Sequence, residues 1–156
     1  MITIHTENWK AIDQEIEEIA PLHWKELALD QLLFKPDLDH ERYLAMDAAG
    51  AMHVVTARDG LKLVGYIICF VMPHFHYKSS GLTALADMYY ILHEYRKGGL
   101  GLRMFKEMER GLRARGVIRA HMSCKVHEDH TRLFQGMGWK LTDLTFSKLL
   151  VEAKCL

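Results

Sequence analysis

Apolar residues along this chain recur with two different periods, and the switch between them divides it into segments. Met1–Thr6 alternates apolar and polar positions as a short strand does. Thr6 or Asn8 suits a helix cap. Ile12, Ile16 and Ile19 follow at spacings of four and three, which puts them on one helical face. Pro21 reads as a break or a new first turn. Leu22–Phe34 is then a second helical stretch and Asp37–Ala48 a third, stopped by Gly50.

From Met52 onward the period shortens. Met52–Arg58 and Leu61–Val71 are apolar and rich in β-branched residues, and the Asp59-Gly60 between them is a strong hairpin signal. Pro73–Gly81 reads as a connection or strand end, and Leu82–Leu92 as a further strand. A glycine-rich loop, Arg96–Gly101, comes next. Leu102, Phe105, Met108 and Leu112, spaced three, three and four, mark the buried face of a helix that Gly116 ends. Val117–Val126 predicts a strand, Asp129–Gly136 a short helix, and Trp139–Val151 a final strand or hairpin. This order, β-α-α-α-β-β-β-loop-α-β-α-β, predicts an α/β fold (an α+β mixed sheet). The central sheet is mostly antiparallel, with one strand–helix–strand crossover near its middle.

Composition adds bounds. With 156 residues and no repeat, linker or low-complexity tract, residues 1–156 are expected to form one domain. No apolar run reaches the roughly 18–20 residues of a membrane helix, and the N-terminus lacks the basic and apolar regions of a secretory signal. Three cysteines, Cys69, Cys124 and Cys155, are too few and too scattered for a disulfide framework or a zinc site. Cys69 lies in an apolar run and reads as core. A cytoplasmic chain without membrane contact is therefore expected. Net charge is zero, so the whole molecule exerts no pull on polyanions. Locally the charge is uneven: residues 1–50 hold 11 acids against 4 bases, and residues 95–125 hold 9 bases against 2 acids. Two readings follow, segregated solvated faces or separate subsites for a cation and an anion.

The glycine loop carries the chemistry. A helix N-terminus leaves backbone N–H groups unpaired and bears partial positive charge, so an anion placed there satisfies both. Glycines let a phosphate approach the backbone. Here a strand, a glycine pair, a third glycine and a basic helix come in that order, with Arg96 and Lys97 as added cationic donors. The pattern alone indicates a generic phosphate site.

The stretch from Asp87 through Glu94-Tyr95-Arg96-Lys97-Gly98-Gly99-Leu100-Gly101 resembles the central motif of the GNAT superfamily of N-acetyltransferases. That motif is an apolar strand, a "Pro-Glu-Tyr-Arg"-like turn and the pattern [Arg/Gln]-x-x-Gly-x-[Gly/Ala]. His93 stands where Pro is common, and Arg96, Gly99 and Gly101 fill the three defining positions. Leu63-Val64-Gly65-Tyr66 looks like the family's third strand, and Leu133 to Trp139 like its late helix-and-glycine segment. Pro73–Tyr77 and Asp87 also look like small phage-type or bacterial members.

The resemblance implies a GNAT-like fold with a splayed strand pair, and acetyl-CoA as cosubstrate. It implies that the pantetheine arm pairs with the backbone around Tyr89 and Ile91, and that the pyrophosphate sits on Arg96, Lys97, Gly98, Gly99, Leu100 and Gly101. An amine of unknown identity then attacks the acetyl thioester directly. A backbone N–H near Ile91 would stabilise the oxyanion. Asp87 is the first candidate base, directly or through a water. Binding the substrate ammonium and capping local backbone remain open beside that role. His76 is the second candidate. It shares a face with His74 if that segment is extended, and imidazole works near neutrality without a large pKa shift. The pair lacks a third ligand, so no metal is assigned.

Phe134 stands where many members carry a Tyr whose hydroxyl protonates the departing thiolate. His127 occupies a place where a cofactor-contacting Asn is common, and His130 lies between the two. Either imidazole is a substitute donor. Two rival readings remain: an acetyl-CoA-binding sensor or inactive homologue, and a nucleic-acid-associated module using the stripe Lys106, Arg110 and Arg113. Glu107, Glu109 and the neutral whole chain disfavour nucleic acid. A homodimer is left open.

Overall fold

The two apolar runs around Gly60 form the middle of the sheet. The computed structural model describes residues 1–150. In it β1 (Ile2–Glu7), β2 (Met52–Asp59), β3 (Lys62–Pro73), β4 (Leu82–Ile91) and β5 (Val117–His121) lie side by side in sequence order. The first three junctions are antiparallel and β4–β5 is parallel. A parallel junction needs a crossover, which α3 (Leu100–Ala114) supplies. Asp59 pairs with Lys62, so the turn residues are Gly60 and Leu61, one position later than expected.

Met52–Ala57 of β2 and Leu63–Cys69 of β3 are buried throughout. Alternate side chains therefore meet helices on both faces. On one face the Cys69 sulfur lies 3.6 Å from that of Met108 in α3. On the other, Tyr66 meets His23 of α1 (Asp13–Leu27), and Phe70 stacks on Tyr43 of α2 (His40–Ala48). Burial on both faces explains runs that are apolar at nearly every position rather than at every second one.

Several boundaries differ from the sequence expectation. Pro21 does not break the chain: it sits inside α1. A proline in a helix interior costs about 3 kcal/mol. Burial contributes about 1.5–3 kcal/mol for each large apolar side chain, and α1 buries Ile16 and Ile19 against the sheet. Packing outweighs propensity. The stretch expected to be helical to Phe34 ends at Leu27, and Leu29, Leu32 and Phe34 are exposed, so no apolar face holds a helix there. Asp39 caps α2 by accepting from the Arg42 N–H at 3.0 Å, which starts that helix at His40 rather than Asp37.

The buried seam of α3 is Leu100, Met104, Phe105, Met108 and Leu112; Leu102 is only partly covered. β5 stops at His121, short of Val126, which is fully exposed. α4 covers Thr131–Gly136. The expected final strand over Trp139–Val151 is not found: residues 139–150 carry no regular secondary structure. Their apolar positions, 139, 141, 144, 146, 149 and 150, do not sustain the period of two that a strand face needs. Val151 and Cys155 lie outside the described residues.

Two tests follow from this packing. A Cβ on Gly111 would lie 2.4 Å from the His53 ring, whose residue is only 4% exposed. Overpacking costs about 1–3 kcal/mol, against roughly 1 kcal/mol gained in helix propensity. Gly111→Ala should therefore be net destabilising in urea unfolding. Burial also lowers the His23 and His53 imidazoles to about 4. The unfolded chain binds protons first, near pH 6.5, so stability is full above that pH and falls as pH drops toward 4. Unfolding free energies from urea titrations at pH 7.5 and 5 should differ, by about 2 kcal/mol from His53 alone, and His53→Met should shrink the difference.

Candidate active site

β4 and β5 pair only from Leu82 to Leu85 with Val117 to His121. Beyond that, Ala86–Ile91 of β4 pair with β3 alone. Met88 pairs with Ile68 and Ala86 with Cys69, which leaves Asp87 as the unpaired residue of a β-bulge. The bulge bends β4 where β5 ends, and a wedge opens between them. The Leu92 N–H donates to the Val64 carbonyl at 2.9 Å, toward β3. Backbone groups alternate sides along a strand, so the N–H and C=O of Tyr89 and Ile91 point into the wedge. In keeping with this, the Ile91 carbonyl accepts from Arg96 Nε at 2.9 Å.

The wedge is a cleft of about 450 Å³, lined among others by Tyr66, Tyr89, Ile91, Gly99, Phe105 and His130. Tyr89 braces it. Its hydroxyl donates to the Ser123 carbonyl at 2.9 Å and lies 3.3 Å from His130 Nδ1, while its ring packs edge-on against Phe105 and Phe134. One side chain thus ties β4 to the segment that diverges from it.

The floor of the cleft is the start of α3. Gly98 and Gly99 have φ of +63° and +70°, left-handed values that side chains rarely adopt, and Gly99 is the N-cap residue. A Cβ at either position would meet nothing within 4 Å, so backbone conformation, not space, calls for these glycines. The left-handed pair turns the chain sharply from β4 into α3. It leaves the N-terminal amides of Gly101 and Leu102 without partners, and that of Leu100 with only a long 3.4 Å contact to the Lys97 carbonyl, beside the ends of Tyr89 and Ile91. An extended amide-bearing chain fits the wedge, and a diphosphate fits the helix end.

On the opposite face of β4, Tyr43 donates a 2.5 Å hydrogen bond to Asp87. The surrounding protein pushes the Asp87 carboxyl above its ordinary range, and the Tyr43 hydroxyl pulls it partly back. Beside them, His23 Nδ1 and the Tyr66 hydroxyl are 2.7 Å apart, and His23 stacks on Tyr90 at 4.8 Å. Burial keeps this imidazole neutral at pH 7. Tyr90 in turn donates to Glu26 at 2.9 Å, and Glu26 also takes the guanidinium of Arg96.

The Acetyltransferase (GNAT) family model matches residues 9–139. The chain belongs to the GNAT family. Its members are acetyltransferases with acetyl-CoA as cosubstrate, and the mixed sheet with its parallel β4–β5 junction is the fold of its structural neighbours. A predicted acetyltransferase from Clostridium acetobutylicum, solved with acetyl-CoA, has a TM-score of 0.71 at 13% identity, over 96% of this chain and 97% of that one. An aminoglycoside acetyltransferase from an uncultured soil metagenomic sample, in complex with sisomicin, has 0.73 at 12%, over 96% and 97%. Glucosamine-6-phosphate N-acetyltransferase from Arabidopsis thaliana has 0.70 at 13%, over 97% and 99%. No curated protein matches the chain.

Within this GNAT frame the candidate residues separate. Tyr89, Ile91, Arg96, Gly99, Leu100 and Gly101 line the cleft, while Lys97 and Gly98 belong to the turn behind it. His127 is exposed and away from the lining, whereas His130 reaches it. His76 is exposed in the connection before Leu82, at the end of β4 remote from the glycine loop, with its N–H on His74 Nδ1. Leu82, where β4 begins, is itself roughly 16 Å along the strand from Asp87 at about 3.3 Å per residue. Phe134 is buried and brings no hydroxyl. Among the described residues no three His, Cys, Asp or Glu side chains converge as metal ligands, and no helix is long and apolar enough to cross a membrane.

Part of the acidic first third is paired: Glu7 and Glu15 grip Arg58, Glu17 meets His40, and Glu26 meets Arg96. Two members of the basic stripe are paired as well, Arg110 with Glu107 and Arg113 with Glu109. His23 and Tyr90 carry no local sequence signal as site residues, because their partners lie tens of residues away. One measurement checks the electrostatics. Tyr43→Phe removes the hydrogen bond that lowers Asp87, so the Asp87 carboxyl should titrate at higher pH in the variant, read by carbon-detected NMR. An unchanged or lower midpoint contradicts the assignment.

Proposed function

We propose that this chain is an N-acetyltransferase, moving the acetyl group of acetyl-CoA directly to an amine. The observation that carries the reading is the wedge: two outward-facing peptide units of β4 lead straight to the left-handed glycine pair and the free amides of α3. Acetyl-CoA supplies an activated acyl thioester. The main chain at Tyr89 and Ile91 holds an amide-bearing arm in extended form, and the Ile91 N–H is the donor for the thioester oxygen as it gains charge. Amides of Leu100, Gly101 and Leu102 neutralise the diphosphate.

Asp87 is the base of this reading. Its pKa sits above the ordinary Asp value of about 3.9, in the direction that improves proton acceptance from an ammonium. His130, the imidazole on the cleft wall, takes the role of proton donor to the thiolate that Phe134 cannot fill. His76 is given no role because it sits in the exposed connection before β4, and His127 none because it is exposed while His130 reaches the cleft wall instead. The structural neighbours support an amine acceptor in general. One is an aminoglycoside acetyltransferase, one acts on glucosamine-6-phosphate, and one from Brucella melitensis is a ribosomal-protein-alanine N-acetyltransferase (16% identity). Their acceptors differ too much to choose among them.

Thermal unfolding with and without acetyl-CoA tests the binding half. At about 100 times its dissociation constant the ligand should add about 2.7 kcal/mol, and no shift would remove the proposal. Free-thiol release with a panel of aminoglycosides, amino sugars and peptide N-termini tests the chemistry. Asp87→Asn should keep the thermal shift while turnover drops by roughly 10²–10⁴-fold. Binding without thiol release from any amine would instead favour the sensor reading.

A further inference from the structure

Arg96, the cation that opens the glycine loop, already has an anion. Both of its terminal nitrogens rest on Glu26, Nη2 at 2.7 Å from Oε2 and Nη1 closer still on Oε1. Its Nε donates to the Ile91 carbonyl at 2.9 Å, and its guanidinium carbon lies 5.1 Å from the centre of the Tyr90 ring. The Tyr90 hydroxyl donates to Glu26 Oε2. Nothing local brings these groups together. Glu26 is in the last turn of α1 and is separated from Arg96 by 70 positions. The two-oxygen grip on a guanidinium fork is the geometry by which a phosphate would take the same side chain. Both partners are about 30% exposed (32% and 28%), so water competes for them and the pair is exchangeable. The Arg96 contact holds the Glu26 carboxyl below its usual range, so the anion is present throughout the neutral region.

We propose that Glu26 is an internal stand-in for the diphosphate of the acyl donor: it holds Arg96 in the free protein and gives it up when the donor enters. The inference rests on the reading of Arg96–Gly101 as the acetyl-CoA site. Glu26 lines the same cleft as Gly99, Leu100 and Gly101, so carboxylate and diphosphate compete for one cation. A weak monoanion gains too little to displace a tethered carboxylate. A diphosphate gains the α3 amides as well as Arg96, and displaces it. The Tyr90 hydroxyl keeps its bond to Glu26 after the exchange, so the freed carboxylate stays at the cleft edge. Glu26 thereby selects donors that carry a diphosphate.

Calorimetric titration of wild type and Glu26→Gln with coenzyme A, inorganic pyrophosphate and acetyl-pantetheine tests this, with thermal unfolding to confirm that both are folded. Wild type that fails to bind coenzyme A would sink the acetyl-CoA reading itself. If it binds, removing the competing carboxylate should tighten coenzyme A by about two- to fivefold, the range of a half-exposed ion pair. Inorganic pyrophosphate should tighten too. Acetyl-pantetheine, which has no phosphate, should bind both proteins alike. Unchanged or weaker coenzyme A binding in Glu26→Gln, or an equal change for acetyl-pantetheine, overturns the stand-in role and leaves the cofactor site untouched. Should Glu26→Gln not fold, Glu26→Asp, which is one methylene too short for the two-point grip, reads the same three ligands.

Discussion

A strand cannot leave its neighbour inside a protein without exposing hydrogen-bonding groups, and that constraint organises this molecule. β4 pairs with β5 only as far as Leu85, then runs on to Ile91 with one edge bare. Unpaired peptide groups in a dry interior cost about 1–3 kcal/mol each, so this edge has to stay open to water or to a ligand that offers matching amides. The bulge at Asp87 sets the divergence, and the Tyr89 side chain limits it by bridging to Ser123. Crossover, bulge and brace together produce a slot rather than a closed sheet.

The same divergence distributes the chemistry. Along β4 successive residues address different surroundings: Asp87 meets Tyr43 of α2, Tyr89 meets Phe105 of α3, and Tyr90 meets His23 and Glu26 of α1. A single strand therefore carries the candidate base, the wall of the donor slot and the link to Arg96. Rigidity comes from β2 and β3, buried on both faces beneath α1, α2 and α3, and the site is built on β4, which is only partly covered.

Electrostatically, the molecule is a set of local settlements rather than one field. Glu7, Glu15 and Glu26 of the acidic first third are held in ion pairs, as are Arg96, Arg110 and Arg113 of the 95–125 segment. Near the slot lies a small group whose protonation is tuned by its surroundings: burial keeps His23 neutral and raises Asp87 above its ordinary range, and the Arg96 contact holds Glu26 anionic.

Local pattern determined the mixed sheet, the hairpin near Gly60, the amphipathic α3 and the phosphate-like loop at its start, because each rests on periodicity or glycine chemistry within a short window. The motif from Glu94 to Gly101 was equally legible, since backbone amides rather than distant side chains do its work. Only the tertiary structure decided that Pro21 stays inside α1, where buried isoleucines outweigh one lost hydrogen bond. It also decided that the apolar run after Trp139 forms no strand over residues 139–150. The pairings Tyr43–Asp87, His23–Tyr66 and Glu26–Arg96 span 44, 43 and 70 positions, and no spacing rule reaches so far. Sequence periodicity reports which face of an element is buried. Which side chains meet across two elements depends on how the helices are laid over the sheet, and that is settled only when the core packs.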